Sequence, residues 1–166
     1  MLTWAVKEAD GPVAIRYPRG GDGDYGESLW DPNHTVVTQG SGEVAIVTYG
    51  NLINQALEAE KLLRQKGIGC TVLRLLSLGH EDIAQAAKLM AKHSIVLTLE
   101  QTMRGCGIRE ELGWQLHALS SGCRIVGIDL QEKFVPHGSI RQLNEYFGLD
   151  GKHVASYLME VLGYED

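Results

Sequence analysis

No apolar run in the chain approaches the roughly 20 residues that a membrane-crossing helix needs. The N-terminal Met-Leu-Thr-Trp-Ala-Val-Lys lacks the basic stretch followed by an apolar core that marks a secretory signal. Cationic charge is scarce: 15 Lys and Arg stand against 21 Asp and Glu, a formal net charge of -6. That balance argues against generic binding to nucleic acid or to an anionic membrane. Cysteine is sparse too. Cys70, Cys106 and Cys123 are odd in number and fit no zinc spacing, so they read as reduced thiols of a cytosolic protein. The six histidines are scattered, with no pair at metal-ligating helical spacing. What remains is an ordinary globular composition, 44% hydrophobic and 22% charged over 166 residues. That length suits one well-buried domain plus an appendage.

Leu2, Ala5, Val6 and Ala9 make a short helical stripe that starts without a cap. After the turn signal Asp10-Gly11 comes Val13-Ala14-Ile15, which predicts a buried strand. One helix and one strand bury no core alone, so sequence upstream of Met1 is expected. Residues 20–33 hold four glycines, a proline and three aspartates, a linker or surface loop. The domain boundary is placed there: 1–33 as the tail of one domain with its linker, 34–166 as a second domain.

From His34 onward strand and helix patterns alternate. Thr35–Thr38 predicts a short edge strand. Buried strands are predicted at Val44–Thr48, Cys70–Leu75, Ser94–Leu99 and Arg124–Ile128. Between them lie helical patterns from Leu52 to a stop at Gly67, from Ser77 through Met90, and from Ile108 to Leu119. Ser139 and Asp150 are N-cap candidates for two further helices, the first with Ile140 and Leu143, the second with Val154, Tyr157, Leu158 and Val161 on its inner face. The alternation predicts an α/β fold: a doubly wound, mostly parallel sheet with helices on both faces.

Candidate chemistry collects at strand ends, where ligands of α/β proteins sit. Arg19 follows the strand-ending Pro18, with Gly20 and Gly21 beside it. Its guanidinium fork suits a phosphate or carboxylate, or an ion pair with Asp22 or Asp24. Gly105-Cys106-Gly107 lies between a strand and a helix like a dinucleotide loop. Glu110 stands where the third glycine belongs, and Asp129 matches the ribose acid only loosely. Cys106, near a helix N-terminus, is a candidate nucleophile without a nearby histidine. Glu100 ends a strand and reads as a loop organiser, capping a loop or pairing with Arg104. Arg74 ends another strand and is a candidate contact to a partner domain. His80 reads as a helix-entry residue, His93 as a solvated helix end, and His137 as the histidine best placed to face a cleft.

Gly11-Pro12-Val13-Ala14-Ile15-Arg16-Tyr17-Pro18-Arg19-Gly20 resembles the end of the pyrimidine-binding domain of 1-deoxy-D-xylulose-5-phosphate synthases, thiamine-diphosphate enzymes of the transketolase superfamily. The resemblance continues through Val-Ala-Ile-Val-Thr-Tyr-Gly (44–50), Leu-Arg (73–74), Leu-Thr-Leu-Glu (97–100), Phe-Val-Pro-His-Gly-Ser (134–139) and Phe-Gly-Leu-Asp-Gly (147–151). Departures follow Arg74 and Glu100, where Ser77-Leu78-Gly79-His80 and Gln-Thr-Met-Arg-Gly-Cys-Gly replace the usual family loops.

The resemblance implies a C-terminal fragment comprising the end of the pyrimidine-binding domain and a transketolase-like C-terminal domain. The family condenses pyruvate with glyceraldehyde 3-phosphate, losing carbon dioxide, to give 1-deoxyxylulose 5-phosphate for isoprenoid and thiamine precursors. It implies thiamine diphosphate and Mg2+ in the full-length enzyme and neither on this fragment, which is expected to be inactive alone. It implies no catalytic residue, no cofactor ligand and no metal ligand here. Arg19 matches the arginine that grips the substrate phosphate, and Arg16 its supporting companion. The implied partners are the remaining domains of the parent enzyme, a second subunit in a homodimer, and small-molecule substrates in the cytoplasm, with no nucleic acid or membrane. Two other readings stand beside it: a stand-alone α/β binding or regulatory domain, and a fragment of another transketolase-type enzyme.

Overall fold

The computed structural model describes residues 2–15, 36–38 and 42–164. Five strands form one sheet: β1 (Val36–Thr38), β2 (Val44–Tyr49), β3 (Cys70–Leu75), β4 (Ile95–Leu99) and β5 (Arg124–Ile128). Their spatial order is β1-β3-β2-β4-β5. The pairs β2–β3, β2–β4 and β4–β5 are parallel, and β1 runs antiparallel along the outer side of β3. The helices are α1 (Leu2–Lys7), α2 (Ile53–Gln65), α3 (His80–Met90), α4 (Arg109–Ala118), α5 (Ile140–Phe147) and α6 (Gly151–Leu162).

The central strands are apolar on both faces because both faces are covered. Val44, Ile46, Val72 and Leu97 point to one side, into a core completed by Ile53, Ala56 and Leu63 of α2 and Val154 and Leu158 of α6. Ala45, Val47, Leu73 and Val96 point to the other, against Ile83 and Met90 of α3 and Leu112 and Leu116 of α4. The chain leaves β2 toward β3, then crosses back over β2 to β4. The winding direction therefore reverses between the carboxyl ends of β2 and β4, the position where such sheets open a crevice.

The helix ends follow their sequence signals. Ser139 caps α5 in a full capping box with Gln142. The Asp150 carboxylate accepts from the Lys152 and His153 backbone N–H groups at the start of α6 and also pairs with the His153 ring. Gly148 and Gly163 end these two helices in the left-handed conformation that glycine adopts without strain.

Several expectations are corrected. Residues 12–15 belong to no strand, and Val13 is 44% exposed. An apolar triplet becomes a strand only where a neighbour completes its ladder, and among the described residues none does. Helix α3 begins at His80 rather than Ser77, because the Ser77 hydroxyl accepts from Gly79 N–H in a turn ahead of the helix. Helix α4 stops at Ala118, leaving Leu119 exposed. In α5, Ile140 is half exposed and the buried residues are Asn144 and Phe147.

Candidate functional site

The carboxyl edge of the sheet carries the polar network. The Thr48 hydroxyl, at the end of β2, donates to Leu99 O at 2.7 Å and ties β2 to β4. One residue further, Tyr49 O–H donates to Glu100 Oε2 at 3.2 Å. The same oxygen accepts from Ile108 N–H at 2.7 Å. Ile108 is the residue before α4, so Glu100, itself buried, sits with its carboxylate on the N-terminal end of that helix. Negative charge is favoured there by the helix dipole and by unpaired N–H groups. Gly107 makes the approach possible: an added Cβ would lie 2.6 Å from Glu100 Cδ and 2.8 Å from Thr102 Cγ2.

A second buried carboxylate, Asp129, follows β5. It pairs with Arg109 Nη1 at 3.1 Å and Arg104 Nε at 3.5 Å, and accepts from Gln131 N–H at 2.7 Å. Arg109 reaches it by lying across Gly127, where a Cβ would meet Arg109 Nη1 and Thr98 Oγ1, each at 2.7 Å. Beyond the strands the two loops continue to pair. Glu100 N–H donates to Ile128 O, Leu130 N–H to Thr102 O, and Arg104 N–H to Gln131 O. Gln101 Nε2 donates to Asn144 Oδ1 and attaches this double loop to α5.

These partners decide most of the sequence candidates. Glu100 is a loop organiser, as expected, through Tyr49 and Ile108. Arg104, the alternative partner, pairs with Asp129 instead. The Gly105-Cys106-Gly107 loop does not form a dinucleotide site, because Glu100 occupies the helix end where a phosphate would bind, and Asp129 is held in ion pairs. Cys106 and His137 are both exposed. His80 opens α3, as expected, and its ring lies 2.9 Å from Glu111. Arg74 is half-buried on β3, beside Val36 of β1. His93 is buried rather than solvated. Its Nδ1 lies 3.1 Å from Met90 O and its Nε2 3.0 Å from Thr71 Oγ1. Burial holds its pKa below the usual histidine value, helped by Lys92 and opposed by the Met90 carbonyl. Arg16 and Arg19 lie outside the described residues, as does the boundary near residue 33.

Sequence reasoning missed Tyr49, Arg109, Gly107 and Gly127 as members of these networks. Tyr49 had a usable signal, a strand-ending tyrosine before a glycine. The other three depend on contacts that no local pattern reports. Among the described residues no three His, Cys, Asp or Glu side chains form a group able to hold a metal. A shallow depression of about 670 Å3 lies between Ile128, Phe147, Tyr157 and Met159, and is lined by neither Glu100 nor Asp129.

The transketolase C-terminal domain model matches residues 33–154. The chain is 35% identical over 162 residues to a 1-deoxy-D-xylulose-5-phosphate synthase of Chlorobium phaeovibrioides, covering 93% of this chain and 25% of that protein. It is 27% identical over 166 residues to the protein of the same name from Dictyoglomus thermophilum, covering 97% of this chain and 27% of that one. The chain thus spans about a quarter of the length of these relatives. Among solved structures, a split-gene transketolase described as an inactive beta4 tetramer superposes with a TM-score of 0.70 at 24% identity, over 82% of this chain and 45% of that one. A Pichia stipitis transketolase mutant gives 0.56 at 19% identity, over 78% and 18%. These two likenesses concern the fold. The sheet order, the two covered faces and the match over residues 33–154 agree: the chain belongs to the transketolase C-terminal domain family.

Proposed function

We propose that this chain is the C-terminal part of a thiamine-diphosphate-dependent 1-deoxy-D-xylulose-5-phosphate synthase. Residues 1–33 are the tail of the pyrimidine-binding domain with its linker, and 34–166 the C-terminal domain. The carrying observation is the extent of the match. The family model begins at residue 33, yet the Dictyoglomus thermophilum relative matches 97% of the chain, upstream segment included. A free-standing domain with an unrelated leader gives no reason for that continuity.

Thiamine diphosphate, when bound with Mg2+, supplies the carbanion equivalent that adds pyruvate-derived carbon to the aldehyde. In this reading the cofactor and its metal are held by other domains of a cytoplasmic homodimer. This chain contributes Arg19, whose planar fork holds the phosphate of glyceraldehyde 3-phosphate by charged, bidentate hydrogen bonds, with Arg16 in support. Residues 34–166 contribute no reacting group; their buried carboxylates organise the carboxyl edge of the sheet.

The test uses the full-length enzyme. Arg19→Ala removes a contact worth roughly 1.5–3 kcal/mol, on the order of 10- to 150-fold in kcat/KM for glyceraldehyde 3-phosphate. Unphosphorylated glyceraldehyde never used that contact and loses little. Arg19→Lys keeps the charge without the fork and restores only part. Equal losses for both acceptors assign Arg19 to holding its loop, and a full-length protein that forms no 1-deoxyxylulose 5-phosphate overturns the proposal.

A further inference from the structure

The carboxyl edge is sealed toward small anions, because Glu100 already occupies the N-terminal end of α4. Among exposed polar residues such as Glu132, Lys133 and His137, this edge also presents large apolar side chains outward. Phe134 is fully exposed, and Met103, Val135 and Ile140 are each about half exposed. Scattered apolar side chains on a surface need no explanation, but these belong to segments held together. Thr102 and Arg104 exchange backbone hydrogen bonds with Leu130 and Gln131, which places Met103 beside the loop carrying Phe134. That loop is fixed at both ends. Asp129 accepts from Gln131 N–H at one end, and the Ser139–Gln142 capping box closes the other. Pro136 restricts the segment between them. A tethered loop that still projects a whole phenyl ring into water has the form of a docking element.

We infer that the Phe134 platform, with Met103 beside it, docks on an apolar surface of the other domains of the parent polypeptide. This rests on the proposed function. The choice of occupant comes from length: the chain spans about a quarter of its relatives, so a parent of that size holds some three times as much chain outside these residues. Helix α1 agrees, since none of its residues is buried and Leu2 and Val6 are largely exposed. Two separate segments of this chain therefore show apolar side chains that its own core does not cover.

Hydroxyl-radical footprinting of the 166-residue chain and of the full-length gene product tests the inference. Phe134 and Met103 are the reporters. Tyr164 is the control, exposed and close to Gly42 and Gly69 at the amino end of the sheet. The expected result is at least about a fivefold slower oxidation of Phe134 and Met103 in the full-length protein, with Tyr164 changed less than about twofold. Phe134→Ser leaves the melting temperature of the isolated chain unchanged and restores Met103 oxidation in the full-length protein. Rates for Phe134 and Met103 that agree within about twofold between the two proteins overturn the inference. So does protection that appears in the isolated chain as its concentration rises, which assigns the surface to a second copy. A gene that starts at Met1 removes the occupant and overturns it as well. Synthase activity without protection refutes this inference alone, and protection without activity refutes only the assigned reaction.

Discussion

Replacing Gly107 with alanine tests the reading of Glu100 as the residue that fixes the loop after β4. The new methyl group would sit 2.6 Å from Glu100 Cδ and 2.8 Å from Thr102 Cγ2, so the carboxylate has to move. A free carboxylate at the end of a flexible side chain moves easily. This one is buried and accepts from Ile108 N–H and Tyr49 O–H through one oxygen. Displacing it leaves a buried charge short of donors and a buried N–H without its acceptor, a loss of about 1.5–3 kcal/mol for the charged hydrogen bonds. Overpacking adds roughly 1–2 kcal/mol. The expected destabilisation is therefore about 2.5–5 kcal/mol. With a urea m-value of about 1.5 kcal/mol/M for a domain of this size, the midpoint falls by roughly 2–3 M. The cycle with Glu100→Ala is the sharper assay, because removing the carboxylate also removes the obstacle to the methyl group. The double variant is expected to be no less stable than Glu100→Ala alone, a coupling above about 1 kcal/mol. A Gly107→Ala variant within about 0.5 kcal/mol of the parent chain, or costs that simply add, refutes the reasoning.

Two further outcomes follow from buried titratable groups. Burial depresses the His93 pKa, so the unfolded chain takes up a proton that the folded chain refuses. Stability is therefore full above the ordinary value of 6.5 and falls as pH drops from there to the lower folded value. Urea midpoints at about pH 7.5 and about pH 5 are expected to differ less in His93→Gln than in the parent chain, and an unchanged difference counts against the assignment. For the thiols, burial, with the Glu60 charge adding to it, pushes Cys70 up to about 12, and burial also raises Cys123, whereas Cys106 is exposed. An aromatic disulfide reagent at about pH 8 is expected to label Cys106 rapidly and Cys70 only after unfolding. Loss of the fast phase in Cys106→Ser checks the assignment, and rapid native labelling of Cys70 contradicts it.

The strands of the sheet were legible because their neighbours allow only one reading. Val44-Ala45-Ile46-Val47 and Ile95-Val96-Leu97 are apolar without alternation, which suits strands covered on both faces and little else. The caps Ser139 and Asp150 were legible because capping is local chemistry within three residues. Failures fell where the deciding partner is distant. Val13-Ala14-Ile15 has the composition of a strand but no ladder to join among the described residues. His93 follows Lys92 at a helix end and reads as solvated, yet Thr71, in the preceding strand, takes its ring. Ile140 carries the apolar periodicity of α5, yet the inward positions of that helix are Asn144 and Phe147. At Glu100 the strand-end position was readable, while its donors are eight and 51 residues away.

Buried carboxylates at strand ends are ordinarily read as functional groups, since water and free charge are costly to keep there without a task. Here both have internal tasks. Glu100 takes the helix end that a bound anion would need, and Asp129 balances Arg109 and Arg104 while holding the turn at Gln131. Glu100 thus supplies from within the chain the negative charge that a bound anion would bring to that helix end. A domain arranged this way gains rigidity at the edge where related sheets bind ligands. Rigidity of that edge suits a surface that positions other polypeptide.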